Sequence, residues 1–462
     1  MIFPGESFKE VWFVDFEFIT RPGELVVPVC MVAREARSGH LIRVWQDDLL
    51  KMSAPPFDIE RGSLYIGYYV SAEISCHLAL NWPLPRNILD LYVEFRNHTN
   101  SRYKPNGNGL LGAMSYFGLD GLAVTEKEFM REKILSGGPW KEEDKGEILD
   151  YCQTDVDALA GLLPKLEPFL DVQHGLLRGR YMACVAQMEH RGIPWDTAQF
   201  NVAKEHWEMI KTRLIERING DYHVFENGSF KMSLFEKLLA EHGIPWPRLV
   251  SGALDLQDDT FRDMARSYPV VATIREVRSA LSKLKLSNLA IGSDGRNRCL
   301  LSPFRSKTGR NQPSNAEFAF GPDTWIRSFI KPEMGKSIAY IDYEQQEFGI
   351  AAFLSKDPFM IEAYRSGDPY LSFARQAKAV PPDATKESHK AQRELFKACA
   401  LAVQYGMSYK SLAYRIGKPE AEAKDLLRLH HETYRKFWEW SNGVVDYAYL
   451  NCELWTTFKW HL

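Results

Sequence analysis

Residues 338–347 read Ile-Ala-Tyr-Ile-Asp-Tyr-Glu-Gln-Gln-Glu, and this stretch passes from an apolar run through one carboxylate into polar residues. The apolar run from Ser337 to Ile341 predicts a buried strand that ends at Asp342. Apolar residues then recur at helical spacing from Phe348 to Leu354, which predicts a helix. An acid between a strand and a helix lies on rigid backbone and suits metal binding. Without further context, the simpler interpretation is that this Asp caps the helix.

The composition is that of an ordinary globular protein with room for two or more domains. The 462 residues are 45% hydrophobic and 25% charged, and the formal net charge is −3. Seven scattered cysteines without a Cys-x-x-Cys pair predict reduced cytosolic thiols and argue against a disulfide framework or a zinc site. No apolar run approaches the roughly 20 residues of a membrane span, and the amino end lacks the features of a signal peptide. The net charge does not indicate nucleic acid, although a local basic surface would.

Two carboxylates share one face of a predicted strand near the amino end. The strand-like run 11–18 carries Asp15 and Glu17 two residues apart, a pairing that can bind a divalent cation. Such a pair is a weak signal by itself, since acids on a half-exposed strand are mostly solvated. A second strand-like run, 63–70, leads into a helical pattern that contains Glu73. Further acids on neighbouring elements would complete a metal site.

A predicted helix carries the next candidates. The amphipathic pattern over 147–159 places Tyr151 and Asp155 four residues apart, hence on one helix face. Carboxylates on separate elements can together hold divalent cations.

Together these segments resemble a DEDD-type 3′–5′ exonuclease of the tyrosine subclass. The resemblance implies an RNase H-like mixed-sheet domain over residues 1–170 that binds Mg²⁺, or alternatively Mn²⁺. It implies a site of four metal-binding acids and one water-orienting tyrosine: Asp15, Glu17, Glu73, Asp155 and Tyr151. The second motif of the family normally ends in Asp. Here residues 67–73 (GYYVSAE) place Glu73 in that position, and Asp90 is the competing candidate. A metal-free fold with decayed acids is the alternative.

The middle of the chain, residues 171–300, is predicted to be mostly helical. A helix near 180–191 should end at Gly192, and its sequence resembles the start of the thumb in family A DNA polymerases. Nine basic residues crowd the following stretch: Arg275, Arg278, Lys283, Lys285, Arg296, Arg298, Arg305, Lys307 and Arg310. Such a run is usually a solvated face, but beside a polymerase palm we expect it to follow the phosphates of duplex DNA.

The last third contains the turn-rich run TGRNQPS at 308–314 and then the opening stretch. In this order the segments closely resemble family A DNA polymerases, particularly those of bacteriophages. The resemblance implies that Asp342 is a metal ligand of motif A. It also implies that Glu347 is a steric gate that disfavours a 2′-hydroxyl, so that the substrate is a deoxynucleotide. The implied nucleotide-binding residues are Tyr343, Gln345, Glu347, Arg393, Lys397 and Tyr405. The implied DNA-binding residues are Arg310, Gln312, Arg327 and Gly406.

The spacing of the second polymerase motif has a physical basis. Arg393 and Lys397 are four apart, and Leu401 and Tyr405 continue the same helical stripe. Two cations on one face can grip a triphosphate, while the tyrosine at the helix end can stack near the templating base. A cationic face on an ordinary helix is the commoner source of such a pair. The Tyr-Gly dipeptide at 405–406, placed after motif A, favours nucleotide binding.

The resemblance covers nearly the whole chain but only part of a palm. It divides the sequence into an exonuclease domain (1–170), thumb and connecting helices (171–300), a first palm segment (301–348), helical fingers (349–450) and the start of a returning palm strand pair (451–462). The family continues to a His-Asp-Glu motif whose Asp is the second metal ligand, and this sequence contains no such triplet.

Three interpretations of the chain therefore stay open. It is the amino-terminal part of a split or truncated polymerase, with a second polypeptide supplying the remaining palm and the other aspartate. Alternatively, it is a Mg²⁺-dependent 3′–5′ exonuclease that acts alone, or a non-catalytic module that binds primer-template DNA or nucleotide. Primer-template DNA and dNTPs are the expected partners, and the cytoplasm of a phage-infected bacterium is the expected location.

Overall fold

The computed structural model describes residues 8–119, 124–283, 289–321 and 324–462. The chain divides into two compact units. The first unit comprises Met1–Ile338 and Thr457–Trp460, and the second comprises Ala339–Thr456 and His461–Leu462. The finer domain boundaries expected from the resemblance stay predictions.

A five-stranded mixed sheet opens the first unit. Its strands are β1 (Glu10–Ile19), β2 (Val27–Glu35), β3 (Leu41–Trp45), β4 (Ser63–Gly67) and β5 (Ile88–Asp90), in the order β3-β2-β1-β4-β5. The central strand β1 pairs antiparallel with β2 and parallel with β4. The strand predicted over 11–18 is confirmed, and the strand predicted over 63–70 ends three residues earlier, at Gly67.

Helices cover both faces of this sheet. They are α1 (Gln46–Leu49), α2 (Ser71–Ala79), α3 (Leu91–His98), α4 (Leu110–Tyr116), α5 (Val124–Leu135), α6 (Glu142–Leu166) and α7 (Val172–Arg191), with a 3₁₀ turn at Glu167–Phe169. Val11 and Phe13 of β1 join the hydrophobic core that contains α6, whereas Trp12 and Val14 join the core that contains α2 and part of α7. The side chains of β1 alternate between the two faces of the sheet, and both faces are buried. Asp15 lies on the face that α6 covers.

The rest of the first unit is mainly helical, as predicted. Its elements are β6 (Ile193–Pro194), α8 (Thr197–Glu205), α9 (Trp207–Tyr222), β7 (Phe225–Glu226), β8 (Ser229–Phe230), α10 (Met232–Glu241), α11 (Asp258–Ser267), α12 (Pro269–Lys283), β9 (Arg296–Asn297) and a 3₁₀ helix (Thr324–Phe329). The predicted helix end at Gly192 is confirmed, because this glycine has φ +60 and an added Cβ would lie 2.8 Å from Arg298 Cγ. No helix of the described residues is both long and apolar enough to cross a membrane.

The second unit is a helical assembly around aromatic side chains. Its helices are α13 (Gln346–Ser355), α14 (Pro358–Arg365), α15 (Pro369–Gln376), α16 (Lys390–Gln404), α17 (Tyr409–Ile416), α18 (Glu420–Thr433) and α19 (Arg435–Asn451). Phe348, Phe373, Phe396 and Tyr434 are buried together in its core. The helices predicted after Asp342 and across the second polymerase motif are confirmed as α13 and α16.

The buried strand predicted from Ser337 to Ile341 is wrong. This segment has no strand assignment, and the side chains of Tyr340 and Ile341 are 87% and 90% exposed. A strand needs a neighbouring strand for its backbone hydrogen bonds, and within the described ranges no segment pairs with this one. The predicted carboxyl-terminal strand pair is likewise reduced to a single bridge between Trp455 and His461.

Candidate active site

Three carboxylates from two elements of the first unit meet at one point. Asp15 and Glu17 project from β1, and Asp155 projects from α6. One ligand atom from each of the three lies within 4.8 Å of the others. The cluster forms because β1 replaces apolar residues by acids on the face that α6 covers. We call these three residues the carboxylate cluster.

The carboxylate cluster is electrostatically unfavourable without a cation. Burial, together with the negative charge of Asp155, raises the pKa of Asp15 to about 8. Burial and the charge of Asp15 raise the pKa of Glu17 well above its usual range. Carboxylates that resist ionisation to this degree are stabilised by a bound divalent cation, which inverts the local electrostatics. Hard oxygen donors of this kind suit Mg²⁺ or Mn²⁺.

Glu73 and Asp90 occupy different surroundings. Glu73 lies in the first turn of α2 and is 4% exposed, and its buried Oε2 atom has no hydrogen-bond partner among the described residues. Burial and the charge of Asp15 raise the pKa of Glu73 well above its usual range. Asp90 instead accepts four backbone N–H hydrogen bonds at 2.8–3.3 Å, from Tyr69, Val70, Tyr92 and Val93. Asp90 is therefore occupied as the cap of α3, whereas Glu73 retains an unused oxygen.

Tyr151 lies one turn before Asp155 on α6, with 7% of its surface exposed. Burial and the charge of Asp155 raise the pKa of Tyr151, so the phenol keeps its proton and can form hydrogen bonds as a neutral group.

Two side chains at the carboxylate cluster lie outside every sequence motif. Lys127 Nζ on α5 lies 2.7 and 3.1 Å from the two carboxylate oxygens of Asp155. The Cys152 thiol donates to Asp15 Oδ2 at 3.3 Å. In the sequence, the position of Cys152 next to Tyr151 weakly indicates that Cys152 lies near the cluster. No sequence pattern indicates Lys127, because its position depends on how α5 packs.

The motif A aspartate of the second unit is exposed, unlike the partly buried acids of the carboxylate cluster. Asp342 and Tyr343 are exposed in the segment without regular secondary structure before α13. Within the described ranges, no group of three or more potential metal ligands includes Asp342. Gln345 adopts φ +48 before α13, and its Nε2 donates to the Gly367 carbonyl at 3.3 Å.

Glu347 and Tyr405 are brought together across the second unit. The Tyr405 hydroxyl donates to Glu347 Oε1 at 2.5 Å. The two residues are 58 positions apart in sequence, so the contact joins the first turn of α13 to the end of α16. The sequence predicted both as nucleotide-binding residues but not their contact.

The two cations of α16 have unequal surroundings. Arg393 donates to Asp368 Oδ2 and Glu394 Oε1, both at 2.6 Å, and its side chain is only 11% exposed. Lys397 is 41% exposed, with its ammonium 3.9 Å from Glu394. Both cations lie within 6 Å of the ring centre of Tyr370, so they share one helix face as predicted.

The predicted DNA-binding residues are mostly exposed. Arg310, Gln312 and Arg327 are exposed in the first unit, and Gly406 is exposed with φ +64 in the second. Several members of the basic run are engaged within the protein: Arg275 pairs with Asp258, Arg296 with Glu333, and Arg298 with Asp294, while Arg278 stacks on Phe261. Lys285 and the side chain of Lys283 lie outside the described residues. The contact of the basic run with DNA stays a prediction.

Residues 202–460, more than half of the chain, match the sequence model of DNA polymerase family A. The chain belongs to this family. Its similarity to DNA polymerase I of Chloroflexus aurantiacus is 27% identity over 262 residues, which is 53% of this chain and 27% of that protein. For DNA polymerase I of Aquifex aeolicus the identity is 24% over 326 residues, 64% of this chain and 56% of that protein. The match thus spans about half or less of these relatives.

A solved structure supports the fold of this family A chain. The POL domain of Pol1 from M. smegmatis, determined in complex with DNA primer-template and dNTP, matches with a TM-score of 0.71 at 18% identity. The match covers 97% of this chain and 77% of that one. At this identity the comparison shows a shared fold.

Proposed function

We propose that this chain is a DNA-directed DNA polymerase of bacteriophage type that carries a 3′–5′ proofreading exonuclease. Family membership supports the polymerase assignment. The carboxylate cluster of Asp15, Glu17 and Asp155 is the observation that carries the exonuclease assignment. Glu73 is the fourth acid in this proposal, because its buried Oε2 atom is available to a cation.

The exonuclease residues would hold and orient the reacting groups. The four acids would hold two divalent cations, Mg²⁺ in our proposal, which supply Lewis acidity and charge neutralisation at a phosphodiester. Tyr151 would orient the attacking water through its neutral hydroxyl. The hydrogen bond from Cys152 fixes the orientation of the Asp15 carboxylate.

The polymerase residues would select and hold the incoming nucleotide. Lys397, the more exposed cation, would contact the triphosphate first, whereas Arg393 would exchange its contact with Asp368 for a phosphate. The contact between Tyr405 and Glu347 would hold the gate that disfavours a 2′-hydroxyl. Asp342 would bind a metal ion here.

We further propose that a second polypeptide completes the palm and supplies the other catalytic carboxylate. Asp342 lies on an irregular segment that forms no strand pair within the described ranges. Beside it is an open apolar groove of about 400 Å³ lined by Tyr343, Ile350, Phe353, Leu354 and Tyr364. An exposed apolar run next to an apolar surface favours a partner that covers both.

A labelled primer-template assay with Mg²⁺ tests both activities. Primer shortening without dNTPs should fall about 10³-fold in Asp155→Ala, since metal catalysis contributes several kcal/mol. The matched control is Asp157→Ala, two residues along α6, which loses only an exposed ion pair with Arg34. No shortening by the unaltered chain, or equal shortening by both variants, would refute the exonuclease.

The same assay with dNTPs tests the need for a second polypeptide. Extension by the chain alone would refute that requirement. Shortening without extension would match our proposal and equally the second candidate, an exonuclease that acts alone. That candidate is favoured by the contrast between the assembled carboxylate cluster and the isolated Asp342. Binding of primer-template with neither reaction would leave a non-catalytic module.

A further inference from the structure

We infer that Lys127 is a built-in counter-ion of the carboxylate cluster, which a divalent cation must displace from Asp155. The residue would thereby set the metal concentration at which the site fills. This inference rests on the proposed exonuclease function and extends it to the regulation of metal loading.

The contact between Lys127 and Asp155 has the geometry of a direct ion pair. The ammonium lies 2.7 Å from one carboxylate oxygen and 3.1 Å from the other. The side chains are 29% and 13% exposed, so solvent screens the pair less than a surface pair. The same ammonium lies 5.7 Å from the ring centre of Tyr151. Lys127 thus contacts two of the residues assigned to the site.

The packing of α5 directs Lys127 to this position. Met130 and Ile134, three and seven residues further along α5, are 7% and 2% exposed in the core shared with α6. Residues at this spacing lie on one helix face. Lys127 continues that buried face at the amino-terminal end of the helix. Its ammonium is therefore held beside the cluster by the fold.

A metal ion and the ammonium compete for the same ligand. Asp155 contributes a ligand atom to the carboxylate cluster, and both of its oxygens contact Lys127. Because the ammonium contacts both carboxylate oxygens, a metal ion that takes either oxygen as a ligand must displace the ammonium from it. Lys127 can withdraw because its side chain is flexible and partly exposed.

The ammonium of Lys127 does not contact every carboxylate of the proposed site. Within the described residues, Glu73 Oε2 is buried without a hydrogen-bond partner beside the cluster. Lys127 pairs with Asp155, so this oxygen stays available to a divalent cation. Lys127 is therefore a partial substitute that stabilises the metal-free state and gives way to divalent ions.

Mn²⁺ binding to the full chain, followed by electron paramagnetic resonance, tests this inference. The variant is Lys127→Met, which keeps an unbranched stem and removes the charge. We expect Mn²⁺ to bind on the order of tenfold more tightly, which corresponds to about 1.4 kcal/mol. The unfolding temperature without metal should fall, and added Mn²⁺ should restore it.

Lys133→Met is the matched control. Lys133 lies on the same helix but pairs with Asp144 and Glu147, away from the cluster. Its removal should lower stability without changing Mn²⁺ affinity. Lys127→Arg keeps the charge and should bind Mn²⁺ no more tightly than the unaltered chain. This variant covers the case in which the Met variant does not fold, and tighter Mn²⁺ binding by it would overturn the inference.

Unchanged or weaker Mn²⁺ binding by Lys127→Met would overturn the counter-ion role alone. Failure of the exonuclease proposal has a different signature. In that case the unaltered chain binds no Mn²⁺, or Asp15→Asn binds it as well as the unaltered chain.

Discussion

The carboxylate cluster and the motif A segment are built in opposite ways. In the first unit, Asp15 lies on a central strand with neighbours on both sides, and α6 covers it with Asp155. In the second unit, Asp342 lies on an irregular segment that pairs with no strand of the described residues, and the exposed Tyr340 and Ile341 precede it. Both segments have an apolar run that leads to an acid. The difference shows that such a run forms a strand only when neighbouring strands hydrogen-bond to it.

The largest expected effect is a loss of stability caused by a substitution in the first unit. Arg178 forms a bidentate pair with Glu94 at 2.7 and 2.8 Å, both residues are nearly fully buried, and its Nη1 also donates to the Phe458 carbonyl. Arg178→Met leaves Glu94 buried without its partner, so the free energy of unfolding should fall by about 3–5 kcal/mol. Chemical denaturation measures this loss.

The control for that prediction is Arg428→Met in the second unit. Arg428 forms an exposed pair with Glu432 on α18, which is worth about 0.3–0.5 kcal/mol. Similar losses from the two substitutions would contradict the view that burial makes the Arg178 pair a structural anchor.

The next effect is pH dependence from a buried histidine in the first unit. His77 is fully buried, its Nδ1 donates to the Pro83 carbonyl, and burial lowers its pKa to about 4. The folded state thus disfavours the protonated ring. Its contribution to stability is complete above pH 6.5 and is lost as pH falls toward 4, by roughly 3 kcal/mol.

His77→Gln isolates this contribution from the acids nearby. The difference in unfolding free energy between the two proteins should be constant above pH 6.5 and change by that amount between pH 6.5 and pH 4. Parallel pH profiles for the two proteins would show that the ring does not titrate as the structure implies.

A third prediction separates the two candidate acids beside the cluster. Asp90→Asn weakens the acceptor of four backbone N–H groups, so stability should fall by about 1–3 kcal/mol. In Glu73→Gln, an amide of similar size replaces a buried carboxyl whose ionisation is disfavoured, so the metal-free protein should be equally or more stable. The same Gln variant should lose primer shortening.

The two readouts, thermal unfolding and primer shortening, decide between the acids. Reversed results, with Glu73→Gln fully active and Asp90→Asn inactive but stable, would make Asp90 the functional acid. The family pattern alone could not choose between them.

The smallest expected effect lies in the second unit. Tyr405→Phe removes one exposed hydrogen bond to Glu347, so the free energy of unfolding should change by less than about 1 kcal/mol. Binding of a ribonucleotide should strengthen relative to a deoxynucleotide, because the proposed gate is no longer held. Equilibrium binding of dATP and ATP to the chain measures the ratio. An unchanged ratio of the two affinities would show that this contact plays no part in selecting against the 2′-hydroxyl.

Much of the fold followed from local patterns. The alternation of β1 and the helical spacing of α6, α13 and α16 predicted these elements correctly, since side-chain periodicity reports which face is buried. The strand at 337–341 was wrong because an apolar run specifies that a segment prefers burial but not that a partner strand exists. Arg296 and Arg298 of the basic run form ion pairs with Glu333 and Asp294, and contact of this run with DNA stays a prediction.

The sequence by itself determined the family-like order of motifs and the spacing of Asp15 with Glu17 and of Tyr151 with Asp155. Those spacings follow from strand and helix geometry, which is local. Only the tertiary structure decided that β1 and α6 bring their acids together, that Asp90 is occupied by backbone N–H groups, and that Lys127 neutralises Asp155. These contacts join segments far apart in the chain. Their geometry depends on how helices pack on the sheet, which no local pattern encodes.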